Sequence, residues 1–413
     1  MSLEPSSGAS RHLLPAGEGE ASRPELLARL AAAHAQRARE DLLRRVRTIE
    51  QVDGPRIVVK GRALLNFASN DYLGLAQHPA LQEALIAATK RWGVGATAAH
   101  LLGGHRQEHA ALEEKLARWT GRDRALLFST GYMANLGALG ALLQDGDVCI
   151  QDKLNHACLI DGARLAGAEL KRYRHADVAS ARQQLEARPA AAALLATDGV
   201  FSMDGDVAPL GELAALCKTQ HATLMVDDAH GIGVFGTNGA GAAAGLGQDD
   251  APILMATLGK ALGVGGAFVA GSDGLIDGLI QFARTYVYTT AMPPALAAAA
   301  SAAVDIARDD HERRARLHLR IAQFREGAAA QGITLLPSAS AIQPALIGAS
   351  DAALSISSRL EAAGFYVPAI RLPTVPTGKA RLRVTLSAAH EESDVARLLD
   401  ALASTLRMSR DAA

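Results

Sequence analysis

Residues 222–231, ATLMVDDAHG, and residues 252–266, PILMATLGKALGVGG, decide how this chain folds. Each begins as a short apolar run and then turns polar and glycine-rich, as a strand does when it is buried on both faces of a parallel sheet and ends at a loop. Working outward, the same style recurs in ALLFST (125–130), DVCIQD (147–152), ELKRY (169–173), AALLATDGV (192–200) and AFVAGS (267–272). Between these runs lie segments with helical spacing, among them HPALQEALIAATKRWG (78–93), HAALEEKLARWTG (109–121), ANLGALGALL (134–143), HACLIDGARLAG (156–167), VASARQQLEA (178–187) and LGELAALCKTQ (210–220). The alternation predicts an α/β fold with a mostly parallel, doubly wound sheet covered on both faces over residues 66–305.

Flanking segments differ in style. Residues 24–48 have helical spacing with a basic last turn, and RIVVKGRALLNFASNDYLGL (56–75) reads as a hairpin leading into the main body. The tail pairs short strands (IQPALIG, ARLRVTL) with helices (ALSISSRLEAAG, ESDVARLLDALASTL), after the long charged stretch DDHERRARLHLRIAQFREGAAAQG. The expected organisation is a disordered leader at 1–22, a helix-and-hairpin segment at 23–65, the large domain at 66–305 and a smaller α+β domain at 306–413, the last sharing its fold with the N-terminal segment.

Composition narrows the function classes. With 413 residues, 49% of them hydrophobic and 21% charged, the chain can bury a large core. Its 42 basic and 43 acidic residues nearly cancel, so no global field draws it to nucleic acid or to an anionic membrane. Cys149, Cys158 and Cys217 stand among apolar or small neighbours with no CxxC pair, and are expected as reduced packing residues with no metal site. The N-terminus lacks a signal-peptide apolar stretch, and the alanine-rich PPALAAAASAAVDIA is soon followed by DDHERR, so no membrane span and a cytoplasmic location are expected.

The strand ends carry the chemistry. Lys260 and Asp227 at the C-terminal ends of two buried strands are the parts that hold pyridoxal 5′-phosphate: the amine forms a Schiff base, and the carboxylate keeps the pyridine nitrogen protonated. Gly131 and Tyr132, in FSTGYMANLGALG, stand where a strand gives way to a helix N-terminus that can cradle a phosphate. His156 lies at a similar junction in QDKLNHACLIDG, at the rim where open α/β sheets bind ligands. Ser202, in ATDGVFSMDGDVAPL, can offer a hydroxyl, whereas Asp204 and Asp206 read as turn formers of the same glycine-containing loop. His230 can bond the phenolic oxygen of such a cofactor, Thr257 can add a hydroxyl contact, and Asp228 reads as a residue that orients the turn.

Through NFASNDYLGL, GYMANLGAL, LNHACLIDG, TDGVFSMDGD, VDDAHGIGVFG and TLGKALG, taken in this order, the chain resembles the α-oxoamine synthases, fold-type I pyridoxal-phosphate transferases that condense a small amino acid with an acyl thioester and release CO2. The resemblance covers almost everything after residue 40. It implies Lys260 as the cofactor lysine and later the base for the Cα proton, His156 stacked over the pyridine ring, and Asp227 as the partner of its nitrogen. Thr289 or Thr290, in YVYTTAMPP, resembles a phosphate contact donated across a homodimer interface, which implies active sites shared between subunits. AIRLPTVPTGKARLRVTLSAAH resembles the branch that joins L-alanine to a pimeloyl thioester, carried on CoA or on acyl carrier protein, in the route to biotin. There Arg371 can fork onto a carboxylate and Thr374 can add a hydroxyl. Arg44, on the N-terminal helix, matches by spacing a substrate-contacting arginine, with Arg45 and Arg47 beside it as alternatives. GVGATAAHLLGGH departs from the family pattern at Ala98, Ala99 and His100. A sister synthase acting on glycine or serine with another acyl-CoA would share every cofactor residue; an aminotransferase or a non-catalytic scaffold fits these motifs less well.

Overall fold

The computed structural model describes residue 23, residues 25–40 and residues 42–411. The leader expected at 1–22 lies outside the described residues.

Two compact units divide the chain, one ending at Arg47 and the other spanning Thr48–Ala413. The first contains helix α1 (Leu26–Arg39), which buries none of its residues and leaves Leu26, Leu27 and Leu30 exposed. A helix without a packed face rests on local propensity alone, and α1 stops well before residue 48. Residues 42–50 have no regular structure, so Arg44 stands beyond the helix rather than on it, exposed in irregular chain.

The second unit begins with an antiparallel meander of β1 (Gln51–Asp53), β2 (Arg56–Val59) and β3 (Arg62–Asn66). Helices α2 (Pro79–Trp92) and α3 (Gln107–Thr120) follow. The wound portion then runs β4 (Arg124–Phe128), α4 (Gly131–Leu142), β5 (Val148–Asp152), α5 (Ala157–Leu165), β6 (Glu169–Tyr173), α6 (Val178–Glu186) and β7 (Ala193–Asp198). It continues through α7 (Leu210–Thr219), β8 (Thr223–Asp227), β9 (Ile253–Thr257) and β10 (Ala267–Gly271). The strands form one seven-stranded sheet in the order β4-β10-β9-β8-β7-β5-β6. Only β10 runs against its neighbours β4 and β9; every other pairing is parallel.

Parallel strands place their last residues on one edge. There Asp152, Asp198, Asp227 and Thr257 close β5, β7, β8 and β9, all but Thr257 buried. Beneath that edge the strands are packed without exposed apolar surface: Ile150, Leu195, Val226, Ala256 and Phe268 have none. Cys149, Cys158 and Cys217 are buried and free, as the sequence suggested.

The chain leaves the sheet through α8 (Asp273–Phe282), the single turn α9 (Arg284–Val287), α10 (Pro294–Asp309) and α11 (His311–Ala330). Residue 305 lies within α10, and α10 gives way to α11 at Asp310, whose carboxylate caps α11 by accepting from the Arg313 N–H at 2.8 Å. The tail supplies β11 (Ile342–Gly348), α12 (Ser350–Ala362), β12 (Phe365–Tyr366), β13 (Ala369–Ile370), β14 (Ala380–Thr385) and α13 (Glu392–Asp411). β12 pairs in parallel with β3, so one sheet contains both ends of this unit. Among the described residues no helix is long and apolar enough to cross a membrane.

Candidate active site

A cavity of about 180 Å³ opens at the polar edge of the large sheet, and the residues around it include Gly131, His156, Ser202, Asp227, His230 and Lys260. Tyr132 and Thr257 line it too. Eight residues singled out from five separate stretches of sequence thus meet in one place.

Lys260 stands three residues beyond β9. Burial lowers its ammonium pKa, and Arg383 adds to that effect, while Asp227 and Asp198 pull the other way. Asp227 is 5% exposed and firmly held: one oxygen accepts from Asn135 Nδ2 at 2.7 Å and the other from the Ala229 N–H at 3.0 Å. Asp228 turns away from the cavity; it is completely buried, and burial raises its carboxyl to about 8. A side chain on Gly231 or Gly241 would overlap its oxygens, at 2.0 and 1.9 Å, so Asp228 fixes this turn as a packing wedge.

His230 has its pKa lowered well below the usual imidazole value, first by burial and then by Lys260, Arg383 and His156. Its Nδ1 lies 2.6 Å from the Tyr72 hydroxyl, and burial holds that phenol protonated, with its pKa raised to about 12. Where the Tyr72 hydroxyl donates to Nδ1, the neutral ring keeps its proton on Nε2. His156 is both a helix cap and a cavity wall: Nδ1 accepts from the Cys158 N–H at 3.3 Å, and its backbone N–H donates to Asp198 Oδ1 at 3.2 Å. At the far wall α4 begins, with Thr130 as its cap. A Cβ on Gly131 would sit 2.7 Å from Thr257 Cγ2, so only glycine lets this helix start come so close to β9.

Other expectations fall elsewhere. Thr289 and Thr290 do not line the cavity; Thr289 borders a separate cleft of about 570 Å³ with Leu165, Arg284 and Tyr288, and Thr290 is exposed. Arg371 and Thr374 also stand outside it, in a turn closed by the Thr374 N–H donating to the Arg371 carbonyl at 3.0 Å. His100 is a core residue: 7% exposed, stacked on Tyr286 at 4.7 Å, and lowered by burial to about 3.

Asp204 and Asp206 are more than turn formers. Asp204 pairs with Arg381, 177 positions away, and Asp206 meets His175 at 2.8 Å. Asn135, Tyr72, Asp198 and Arg383 also belong to the edge, although no motif singles them out. A buried asparagine in the otherwise apolar GYMANLGAL is a visible anomaly; the other three are ordinary in their local settings, and only the fold brings them to the edge.

An amine, a fixed carboxylate, two imidazoles and a close-packed helix N-terminus suit a flat ring that carries a basic nitrogen and an anionic group. The family model for aminotransferase class I and II matches residues 62–402. An 8-amino-7-oxononanoate synthase of Saccharophagus degradans is 56% identical over 358 residues, 86% of this chain and 90% of the relative. One from Methylococcus capsulatus is 54% identical over 90% of this chain and 97% of its own. The chain belongs to the α-oxoamine synthase family. Two solved α-oxoamine synthases share its fold. A Sphingomonas wittichii serine palmitoyltransferase has a TM-score of 0.88 at 30% identity, covering 93% of this chain and 99% of that one. A Francisella tularensis 8-amino-7-oxononanoate synthase has a TM-score of 0.74 at 30% identity, covering 84% and 99%. The higher score of the palmitoyltransferase measures backbone likeness, which α-oxoamine synthases share whatever their acyl donor.

Proposed function

We propose that this protein uses pyridoxal 5′-phosphate to condense L-alanine with a pimeloyl thioester, releasing CO2 and the free thiol carrier and giving 8-amino-7-oxononanoate for biotin biosynthesis. The observation that carries the reading is the single cavity in which Lys260, Asp227, His156 and His230 converge. Identity above half to 8-amino-7-oxononanoate synthases over nearly the whole chain supports this choice of substrates over glycine or serine.

When bound, the cofactor supplies an aldehyde for the amino acid and an electron-poor ring that takes up the charge left at Cα. Lys260 would hold the aldehyde carbon, and Asp227 the ring nitrogen. Fixed by Asn135 and the Ala229 N–H, Asp227 cannot swing away, so its charge stays where that nitrogen needs it. His230 would donate from Nε2 to the phenolic oxygen, His156 would cover the ring face, and Ser202 and Thr257 would add hydroxyl contacts. The N–H groups at Gly131 and Tyr132 would cradle the phosphate. Lys260 must be neutral to take the Cα proton at Nζ, and its burial favours that form.

The same reading includes a homodimer in which Thr289 or Thr290 reaches the partner's phosphate. Leu165 and Tyr288, at 78% and 73% exposure in the cleft that Thr289 borders, support it as apolar surface that a second copy would cover. Arg371, Thr374 and one of the arginines at 44, 45 and 47 are its candidate substrate contacts, and its setting is cytoplasmic. The two-domain division is supported by the β3–β12 pairing, which ties the meander to the tail.

The test is the holoenzyme given L-alanine with pimeloyl-CoA, L-alanine with pimeloyl-acyl carrier protein, or L-serine with palmitoyl-CoA, reading product mass and CO2. The 8-amino-7-oxononanoate mass in either alanine arm, above the serine arm, is expected. A greater yield with serine overturns the reading.

A further inference from the structure

His175 lies two residues past β6 and outside the cavity, yet both of its ring nitrogens meet carboxylates of loops that shape it. Nδ1 is 3.0 Å from Asp152, and Nε2 is 2.8 Å from Asp206. Asp152 ends β5 and is completely buried. It also accepts from the Leu154 N–H at 2.8 Å and from the Ala176 N–H at 2.7 Å, so it organises the turn that delivers His156. On the other side, the Phe201 N–H donates to the Asp206 carbonyl at 3.0 Å, and the Phe201 ring meets the imidazole edge-on at 4.5 Å. Ser202 is the next residue.

Carboxylates only accept, so an imidazole bonded to one at each nitrogen donates from both and carries a positive charge. Burial opposes that charge, but Asp152 and Asp206 outweigh it and raise the ring to about 10. The Ser202 loop has further anchors. Arg381 pairs with Asp204, Arg383 Nε donates to the Ser202 carbonyl at 2.8 Å, and Ser338 Oγ donates to the Gly205 carbonyl at 2.9 Å. Those three tie the loop to the C-terminal segment. His175 ties it instead to the strand end that presents His156.

We propose that His175 is a positioning residue, a doubly hydrogen-bonded cation that fixes the spacing between the His156 turn and the Ser202 loop across the cavity. The inference rests on the functional reading above, since spacing matters only if both walls hold one ligand. His175 does not line the cavity; it acts through the two loops.

Three full-length variants test it: His175→Gln, Asp206→Asn and the double variant. Pyridoxal 5′-phosphate is titrated into each stripped protein by fluorescence, kcat and KM are measured at 25 °C, and unfolding is followed without cofactor. The expected result for His175→Gln is about tenfold weaker cofactor binding and a kcat lowered about tenfold, with KM for the thioester within twofold. Asp206→Asn should give the same signature more mildly, and the double variant should lose no more than the worse single one, because both substitutions break one link. Lower thermal stability with cofactor affinity and kcat within twofold of the unaltered protein overturns the proposal, as do losses that multiply in the double variant. If His175→Gln does not fold, the smaller change Asp206→Asn decides. An unaltered protein that makes no product overturns the functional reading instead, and the cofactor titrations still judge His175.

Discussion

His230 and His109 are both buried, and in both burial pushes the imidazole below its usual pKa, yet they belong to opposite kinds of neighbourhood. Around His230 the groups differ in kind and face one space: an amine, a carboxylate, a phenol and a second imidazole. Around His109 the groups are spent on each other. Its Nδ1 accepts from the Arg106 N–H at 2.8 Å, its Nε2 donates to the Met292 carbonyl at 2.8 Å, and His100 and His105 crowd it at 5.2 and 5.4 Å. A shifted pKa is thus no mark of chemistry by itself; what marks the first cluster is complementary groups with capacity directed at a shared cavity.

The sharpest way to break this contrast is to remove one residue from each side. Lys260→Ala should reduce kcat by at least about 10³-fold, within the upper part of the range for a lost general base, and should remove the lysine-bound absorbance that the cofactor shows before L-alanine is added. His109→Gln should keep kcat within about threefold while costing about 1–3 kcal/mol in urea unfolding, the usual penalty for a disturbed buried hydrogen bond. Retained turnover in the first, or a collapse of kcat in a folded second, ends the distinction.

A smaller effect probes the support of Asp227. Asn135→Ala leaves the carboxylate with one fewer bond and should lower cofactor affinity about 10-fold to 100-fold, the equivalent of about 1.5–3 kcal/mol for a hydrogen bond to a charged group. Equilibrium titration with pyridoxal 5′-phosphate reads this directly, and unchanged affinity would show that Asp227 needs no such brace. Tyr72→Phe is milder still. It frees His230 Nδ1, so either ring nitrogen can carry the proton, and kcat should fall a few-fold with cofactor affinity nearly unchanged; a loss seen only in affinity contradicts the assignment of Nε2 as donor.

Acidification gives the smallest signal. In the folded protein His100, His105 and His109 have lowered pKa values, so the unfolded chain takes up their protons first. Their contribution to stability is complete above about 6.5, the ordinary imidazole value, and is lost as pH falls toward the folded values. Glu113 beside them has the opposite sense: burial raises it to about 7, and its contribution is lost as pH rises through that value. Urea midpoints should drop between pH 7 and pH 5, by up to about 1 kcal/mol per pH unit for each group involved. His100→Phe, which keeps a ring on Tyr286, should flatten the slope; an equal slope would remove His100 from the account.

Much of this was legible because strands buried on both faces announce themselves. ATLMVDD and PILMATLG gave away two neighbouring strands, and the polar residues at their ends could belong only to the sheet's edge. Lys260 and Asp227 were therefore readable from local pattern. Arg383 was not, because an arginine in ARLRVTL looks like the solvent face of a strand, and its proximity to Asn70 and Ser202 depends on packing between distant segments. Asp204 and Asp206 failed in the same way: glycine-rich turns favour aspartate on local grounds, which hid their partners Arg381 and His175. The end of α1 was missed for the converse reason. Its sequence keeps helical spacing past Arg39, but no packed face sustains the helix.

The parallel pairing of β3 with β12 has a consequence in time. Arg62 reaches the carbonyl of Ala362, 300 positions further along, so the meander emerges from the ribosome with one edge open and is closed only after nearly the whole chain has been made. Such late closure is slow in loop-entropy terms, and an open strand edge invites pairing with other chains meanwhile. Truncation shortly before Phe365 should thus yield an aggregating product rather than a smaller working enzyme.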